Sequence, residues 1–410
     1  MGDSQSLVAL IDCNNFYVSC ERVFNPAWQN RPVAVLSNND GCVVARSKEV
    51  KAMGVPMGVP YFQVRDLLER QNAVVVSSNY ALYGDLSHRV METLRSFSPD
   101  VEIYSIDEAF LTLQKEDPIE IRKRVLKWTG IPVSIGIGAT KTIAKAAAEL
   151  AKGAKDGVFW ITEANRKQVL SELPAGEVWG IGRRLSKRME AQGIFSAEDF
   201  AEKSDEWIRK HYGVIGLRMA LELRGISTLE LSDVEEKKKS IMYSRSFAQK
   251  VRDLMELEEA ISSYTAGAAA KMRRQESLAS AMEVYVYGKE LHTFKKVYMT
   301  FPEPLDYTPD LVLWAKAGIN ALFDSEEAYR KVGVLLLGLV DKGAYQCDLF
   351  DREPVSPKKK KLSALMDAIN QKKGKGTLKF LGEGVEAPWK MRREKNTGSY
   401  TTDWDHLKQV

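Results

Sequence analysis

Short apolar segments alternate with polar ones along the first part of the chain. Segments 7–12, 31–37 and 72–78 consist mainly of Val, Leu, Ile and Ala, and each predicts a buried strand. Segments 101–113 and 132–140 are also β-rich, whereas residues 140–152 place small apolar residues at helical spacing. The pattern predicts a mixed sheet with helices packed on it.

The pattern changes twice in the remainder of the chain. Residues 166 to 234 are helical with short loops and end in the charged run DVEEKKKS. Strand-like and helix-like segments then follow in the order β-α-β-β-α-β, with helices predicted from Leu254 to Arg274 and near 310–323. After Asp341 the periodicity is lost and the sequence becomes rich in Gly and Lys, which predicts a partly disordered tail.

Length and composition indicate a multidomain globular protein. The chain has 410 residues, more than one hydrophobic core usually supports, and no apolar run approaches the roughly 20 residues that span a bilayer. The N-terminus lacks a basic segment followed by an apolar one, so we expect a cytoplasmic protein with no membrane contact. Four cysteines without CxxC spacing are expected to be reduced thiols: Cys13, Cys20, Cys42 and Cys347.

Positive charge is concentrated near the C-terminus. The net charge is only +4, but residues 358–395 contain twelve Lys or Arg against four acidic residues. Contacts with a polyanion are therefore expected from local patches and from this tail.

Three acidic residues follow predicted strands. Asp12 ends the first strand, and Asp107 with Glu108 interrupts a β-rich segment. Phosphoryl transfer to a hydroxyl uses two divalent ions about 4 Å apart, held by carboxylates that converge from a rigid sheet. The residues fit that requirement, although a strand-ending Asp and an acidic turn are also common in proteins without any metal site.

Two segments resemble the metal-binding motifs of the Y-family of translesion DNA polymerases: DCNNFYVSCE from Asp12 and SIDEAF from Ser105. The resemblance runs from about Leu7 to about Gln346. NNDGCVVARS and KAMGVPMG are similar to the UmuC branch, the ImpB/MucB/SamB type found as the catalytic subunit of bacterial DNA polymerase V. The resemblance implies error-prone, template-directed addition of dNTPs to a primer 3′-hydroxyl opposite damaged DNA, in the SOS response and mutagenesis.

The resemblance implies an α+β right-hand polymerase. Its parts would be a palm (1–22 and 80–165), small fingers (23–79), a helical thumb with a helix-hairpin-helix (166–234), a linker (235–241), a β-α-β-β-α-β little finger (242–345) and a C-terminal tail (346–410). An open site with small fingers would tolerate distorted template bases.

The same resemblance assigns roles at the catalytic site. Asp12 and Asp107 would hold two Mg²⁺ ions, Glu108 would complete the site near the primer end, and the backbone carbonyl of Cys13 would add a ligand. Tyr17 would be the steric gate under the deoxyribose. Phe16 could lie against the nucleotide or be a core aromatic residue.

Lysines are candidates for binding the triphosphate. Lys141, Lys145 and Lys152 fall within about 40° of one another on one helical face, a pattern that a merely solvated face also shows. The match of SIGIGATKTIAKAAAELAK to the family motif favours a triphosphate contact for Lys152. Lys48 and Lys51 replace a tyrosine and an arginine of the wider family, which leaves Lys51 a plausible phosphate contact and Lys48 a weak one.

DNA-backbone contacts are expected in two regions. Gly180 and Gly182 precede a basic helix and resemble a helix-hairpin-helix, whose amides and cations bind phosphate. An ordinary helical turn with a charged face is the alternative. The thumb candidates are Gly180, Gly182, Arg183, Arg184, Lys187 and Arg188, and those of the little finger are Arg245, Lys271, Arg273, Lys295 and Lys296.

Partners are implied by the end of the chain. Residues 346–350, QCDLF, resemble the peptide with which bacterial polymerases bind the sliding clamp, with Gln346, Leu349 and Phe350 as contacts. The basic tail beyond it would engage a cleaved UmuD-like dimer and RecA, by analogy with the family.

Two other functions remain open from the sequence alone. A non-catalytic DNA- and clamp-binding scaffold would not need the acidic residues. A nucleotide cyclase would also join two metals to a palm-like sheet, but it would need neither a clamp peptide nor a basic tail.

Overall fold

The computed structural model describes residues 7–114, 116–231, 237–288, 293–343, 357–374, 376–385 and 387–406. Its contacts divide the chain into two compact units. The first comprises Met1–Ser37, Gly41–Glu235 and Lys395–Val410, and the second comprises Asn38–Asp40 and Glu236–Glu394. The finer division into palm, fingers and thumb stays a prediction.

The first unit begins with alternating strands and helices. They are β1 (Leu7–Cys13), α1 (Phe16–Phe24), β2 (Val33–Leu36), β3 (Val43–Arg46), α2 (Lys48–Ala52), α3 (Tyr61–Arg70), β4 (Val74–Ser77), α4 (Tyr80–Arg95), β5 (Val101–Ile103), β6 (Glu108–Leu113), α5 (Pro118–Thr129), β7 (Val133–Gly138), α6 (Lys141–Ala151) and β8 (Val158–Trp160). Two sheets result, a five-stranded one in the order β5-β6-β1-β7-β8 and a three-stranded one in the order β3-β2-β4.

Helix α6 packs closely on the five-stranded sheet because both surfaces are small. Ala144 and Ala148 of α6 are buried with Leu10 and Phe110 of the sheet. Gly136 in β7 has no side chain to obstruct the helix, since a Cβ there would lie 1.9 Å from the backbone nitrogen of Ala148. This close contact sets the distance between the sheet and the lysines of α6.

The helical part of the first unit has its own core. Its helices are α7 (Arg166–Glu172), α8 (Arg183–Glu190), α9 (Ala197–Ala201) and α10 (Asp205–Leu223). Met189, Ile194, Phe200 and Ile208 are fully buried in that core.

The second unit confirms the predicted order β-α-β-β-α-β. Its elements are β9 (Ile241–Val251), α11 (Leu254–Arg274), β10 (Ser277–Tyr287), β11 (Phe294–Leu305), α12 (Thr308–Leu322) and β12 (Tyr329–Asp341), followed by α13 (Pro357–Lys373). The four strands form an antiparallel sheet in the order β11-β10-β12-β9. One core lies between this sheet and helices α11 and α12.

Long-range contacts hold the described parts of the C-terminal region in place. Helix α13 is held by Asp367, whose two carboxylate oxygens accept hydrogen bonds from Arg273 at 2.7 and 2.9 Å. Trp389 is buried in the core of the second unit, with its ring edge-on to Tyr264 at 5.5 Å. These anchors are long-range, so local composition does not reveal them.

Candidate active site

Strand pairing brings the three acidic residues among the predicted metal ligands together. Strands β1 and β6 are antiparallel, and Asp12 lies directly opposite Glu108. The backbone N–H of Cys13 donates to the carbonyl of Asp107 at 2.8 Å. Ser105, which the sequence analysis did not single out, donates from its hydroxyl to Oδ1 of Asp107 at 2.7 Å and accepts from the backbone of Glu108. These hydrogen bonds fix the turn before β6, which presents the carboxylates of Asp107 and Glu108 beside Asp12.

The three lysines of the predicted stripe each pair with a carboxylate of the sheet. Nζ of Lys152 lies 3.0 Å from Oδ2 of Asp12. Nζ of Lys145 donates to both carboxylate oxygens of Glu108, at 3.1 and 2.9 Å. Lys141 is buried and pairs with Glu102 at 2.6 Å. The sequence predicts the shared face but not these individual partners.

Asp12 lies in a site that favours a bound cation. Burial raises the pKa of its carboxyl group to about 6, Lys152 opposes that shift, and the neighbouring charges of Glu108 and Asp107 add to it. Such mutual repulsion shows that the three carboxylates share one electrostatic environment. A positive charge in their midst would relieve both the repulsion and the burial cost.

The residues fit a hard divalent cation by the chemistry of their donors. Carboxylate and carbonyl oxygens are the ligands that Mg²⁺ prefers. The thiol of Cys13 is not a candidate, because burial and the three carboxylates raise its pKa well above the usual range and keep it protonated. Within the described residues no three acidic, His or Cys side chains already converge as a ligand set. Two of the carboxylates are paired with lysines instead, Asp12 with Lys152 and Glu108 with Lys145.

Tyr17 lies in a group of aromatic rings. Its ring stacks on Tyr83 with centroids 4.4 Å apart and meets Tyr80 edge-on at 6.0 Å. Burial, Tyr80 and Asp107 raise the pKa of the Tyr17 hydroxyl, which stays neutral at physiological pH. Phe16 is only 3% exposed and belongs to the core, which favours the core alternative for that ring.

A further cation lies near the same carboxylates. Burial lowers the pKa of Lys51, and the positive charges of Arg46 and Lys152 lower it further. Arg46, which the sequence analysis missed, donates to the carbonyl of Val55 at 2.5 Å and leaves its Nε without a partner among the described residues. Lys48 is exposed on α2. The first unit thus gathers Arg46, Lys51 and Lys152 in one positive region.

The predicted phosphate-binding turn precedes α8. Gly180 has φ of 94°, and a Cβ there would lie 2.8 Å from the sulfur of Met219, so glycine is required. Gly182 is the N-cap of α8 and has open space around it. Arg183, Arg184 and Lys187 are exposed on that helix and form no ion pair within the described part of the chain.

The candidate DNA-binding residues of the second unit differ in how exposed and how paired their charged groups are. Arg245 is half-buried on the edge strand β9, over the ring of Tyr243 at 4.6 Å. Lys295 and Lys296 pair with Asp324 and Glu283 on the surface.

Arg273 is not a surface cation. Besides Asp367, it donates to the carbonyl of Asp306 at 2.7 Å and to the hydroxyl of Thr308 at 2.9 Å. The expectation that Arg273 contacts a DNA backbone is wrong, because these partners already use its guanidinium.

Some predicted features lie outside the described residues. Among them are Gln346, Leu349 and Phe350 of the candidate clamp peptide, together with Cys347. Cys13, Cys20 and Cys42 form no disulfide among the described residues. None of the described helices combines the length and apolar character needed to cross a membrane.

Family comparisons cover most of the chain. Residues 11–149 match the impB/mucB/samB family, and residues 238–349 match the C-terminal domain of that family. Residues 360–410 match a domain of unknown function, DUF4113.

Curated relatives extend the comparison to nearly full length. The chain is 40% identical to the UmuC protein of Salmonella typhimurium, over 98% of this chain and 100% of that protein. It is 37% identical to MucB of Escherichia coli, over 97% and 98% of the two chains. DNA polymerase IV of Desulfatibacillum aliphaticivorans is 27% identical, over 92% and 96%.

Solved structures share the fold. A Y-family DNA polymerase chimera of Dbh and Dpo4 superposes with a TM-score of 0.68 at 22% identity, covering 82% of this chain and 99% of that one. An insertion ternary complex of Dbh DNA polymerase has the same coverage and identity with a TM-score of 0.56.

Proposed function

Because this chain belongs to the impB/mucB/samB family of Y-family polymerases, we propose that Asp12, Asp107 and Glu108 form the catalytic site of its error-prone DNA synthesis. The chain is a DNA-directed DNA polymerase of the translesion type, with dependence on divalent metal. The observation that supports the site most directly is the register that pairs Asp12 with Glu108 and places Asp107 beside them.

Two Mg²⁺ ions are the proposed cofactors. When bound, they would lower the pKa of the primer 3′-hydroxyl and stabilise the pyrophosphate leaving group. Asp12 and Asp107 would hold both ions, Glu108 would complete the site near the primer end, and the carbonyl of Cys13 would add an oxygen. In this arrangement Lys152 would leave Asp12 and pair with the triphosphate.

The nucleotide would lie between the carboxylates and the positive region. Lys152 and Lys51 would contact the triphosphate of the incoming dNTP, supported by the influence of Lys152 on the pKa of Lys51. The Tyr17 ring would lie under the deoxyribose and clash with a 2′-hydroxyl. Phe16 would support it from the core.

Primer-template DNA would be held through its phosphates. Gly180, Gly182, Arg183, Arg184 and Lys187 supply a turn with exposed cations at the start of α8. Such contacts are indifferent to base sequence and weaken with salt. Arg245 on β9 is the corresponding candidate in the second unit. We also propose a cytoplasmic location for the protein.

Protein partners are proposed from the C-terminal region. A sliding clamp would bind Gln346, Leu349 and Phe350, and a cleaved UmuD-like dimer and RecA would engage the region beyond them. The 40% identity with a UmuC protein supports this proposal.

Primer extension across an abasic site tests the catalytic proposal. The reaction contains Mg²⁺, sliding clamp, a cleaved UmuD-like partner and activated RecA. We expect extension by the wild type and none by the double variant Asp107→Ala, Glu108→Ala, with primer-template binding retained in both.

A matched double variant controls for the loss of two acidic groups. Asp85→Ala with Glu92→Ala removes two carboxylates that pair with arginines on the surface of α4, and it should extend normally. Equal extension by the Asp107, Glu108 variant would refute the metal site. Extension by neither protein, with primer-template binding retained, would instead favour a non-catalytic scaffold.

A further inference from the structure

The segment 395–400 is anchored in the first unit at both of its ends. The backbone N–H of Ser77 donates to the carbonyl of Lys395 at 2.9 Å, and the N–H of Lys395 donates to the Ser77 hydroxyl at 3.0 Å. At the other end the ring of Tyr400 stacks on Phe24, with centroids 4.9 Å apart and planes inclined by 9°. The segment therefore occupies a defined place beside α1 and the end of β4.

Between these anchors the segment joins a directed chain of hydrogen bonds. Nδ2 of Asn79 donates to Oγ1 of Thr397 and to the carbonyl of Gly398, both at 3.1 Å. Oδ1 of Asn79 accepts from the N–H of Leu82 at the start of α4, which fixes the orientation of the amide. The Thr397 hydroxyl therefore keeps its own hydrogen, which it donates to Oε1 of Glu21 at 3.1 Å.

Glu21 connects this chain to the tyrosine that supports Tyr17. It is fully buried on α1, one helical turn after Tyr17. The hydroxyl of Tyr83, also fully buried, donates to the same Oε1 at 2.8 Å. The Tyr83 ring in turn stacks on Tyr17, with an angle of 14° between the planes. The orientation of Tyr83 thus depends on a carboxyl group whose other bond comes from Thr397.

We propose that the segment 395–400 positions the ring of Tyr17, so that this part of the C-terminal region of unknown function supports sugar selection. The inference rests on the sugar role proposed for Tyr17. Selection against one hydroxyl group requires the ring to be held within a fraction of an ångström. Thr397 acts as a positioning residue, since it reaches Tyr17 only through Glu21 and Tyr83.

Sugar discrimination in the full-length protein tests this inference. The measured quantity is kcat/KM for a dNTP divided by kcat/KM for the matching ribonucleotide. Thr397→Val keeps the shape of the side chain but removes the hydroxyl, and we expect the ratio to fall about threefold to tenfold. Thr397→Ser should retain the ratio. Thr402→Val, the same change at an exposed threonine of this region, should leave it at the wild-type value.

A second variant removes the other hydrogen bond to Glu21, the one donated by Tyr83. Tyr83→Phe keeps the ring on which Tyr17 stacks and removes only the hydroxyl that bonds to Glu21. We expect a fall in the ratio similar to that of Thr397→Val. An unchanged ratio in both variants, even with lower thermal stability, overturns the inference and leaves a purely structural anchor.

Tyr17→Ala separates this inference from the function on which it rests. If Tyr17→Ala admits ribonucleotides while Thr397→Val and Tyr83→Phe do not, the gate stands and the positioning role is refuted. If Tyr17→Ala leaves sugar selectivity unchanged, the gate assignment itself is refuted, and the inference with it.

Discussion

Glu21 is a fully buried carboxyl group that lacks a basic partner among the described residues. Its Oε1 accepts hydrogen bonds from Tyr83 and Thr397, whereas Oε2 has no hydrogen-bond partner within the described part of the chain. Burial raises the pKa of this group from 4.5 to about 7, and the two hydrogen bonds offset only part of that rise. The folded chain therefore keeps Glu21 protonated to nearly neutral pH.

This shift makes the free energy of unfolding depend on pH in a definite direction. Below pH 4.5 the carboxyl group is protonated in both the folded and the unfolded chain. Between pH 4.5 and about 7 the unfolded chain has released the proton and the folded chain has not, so stability falls as pH rises. Integrated from pH 5 to pH 8, the loss from this one group is about 2 to 3 kcal/mol.

Glu21→Gln isolates that contribution, because glutamine has the shape of the protonated acid and does not titrate. We expect the variant to match the wild type at pH 5 and to exceed its stability by about 2 to 3 kcal/mol at pH 8. Urea denaturation measures the difference, and native-state hydrogen exchange of the β1 amides assigns it to the first unit. For Glu120→Gln, on the exposed face of α5, the free energy of unfolding should vary with pH as it does in the wild type. The same pH dependence in Glu21→Gln as in the wild type would refute the role assigned to Glu21.

Two further predictions concern packing and DNA binding. Gly136→Ala should destabilise the first unit by about 3 kcal/mol or more, since its Cβ would meet the backbone at Ala148. Gly84→Ala, which has open space around it in α4, should stabilise the unit slightly. Thermal denaturation compares the two variants. The double variant Arg183→Ala, Arg184→Ala should weaken primer-template binding equally for all DNA sequences. The slope of log Kobs against log salt concentration, measured by fluorescence anisotropy, should become smaller in magnitude by about 2.

Elements with strong local patterns are predictable from the sequence. Helix α11 has the predicted bounds because Asp253 caps its N-terminus and apolar residues recur at helical spacing. The break between β5 and β6 coincides with Asp107, where polar residues interrupt an apolar run. In both cases the deciding interactions involve residues close in the chain, which a pattern registers directly.

Interactions between distant residues are not predictable in this way. Thr397 contacts Glu21 across 376 positions, and Asp367 contacts Arg273 across 94. Composition correctly marks the C-terminal region as poor in apolar residues, yet Trp389 of this region packs in the core of the second unit. Arg273 illustrates the same point, because its charge indicates a surface residue until its carboxylate partner is known.

The ion pairs of α6 link the predicted metal ligands to the proposed triphosphate contacts. Lys152 lies 3.0 Å from Asp12, and its side chain is 36% exposed while that of Asp12 is 15% exposed. Because the ammonium group of this pair is open to solvent, either a divalent ion or a triphosphate can displace it. The lysine thus neutralises the carboxylate until stronger ligands replace both partners.

Lys152→Met should therefore affect the two ligands in opposite directions. Without the competing ammonium group, Mn²⁺ binding in the absence of nucleotide should tighten about twofold to fivefold, as measured by electron paramagnetic resonance. The KM for dNTP should rise, because the triphosphate loses a cation. Lys127→Met, the same charge change on the exposed side of α5, should alter neither quantity. Weaker Mn²⁺ binding in Lys152→Met would show that the lysine organises the carboxylates rather than competing for them.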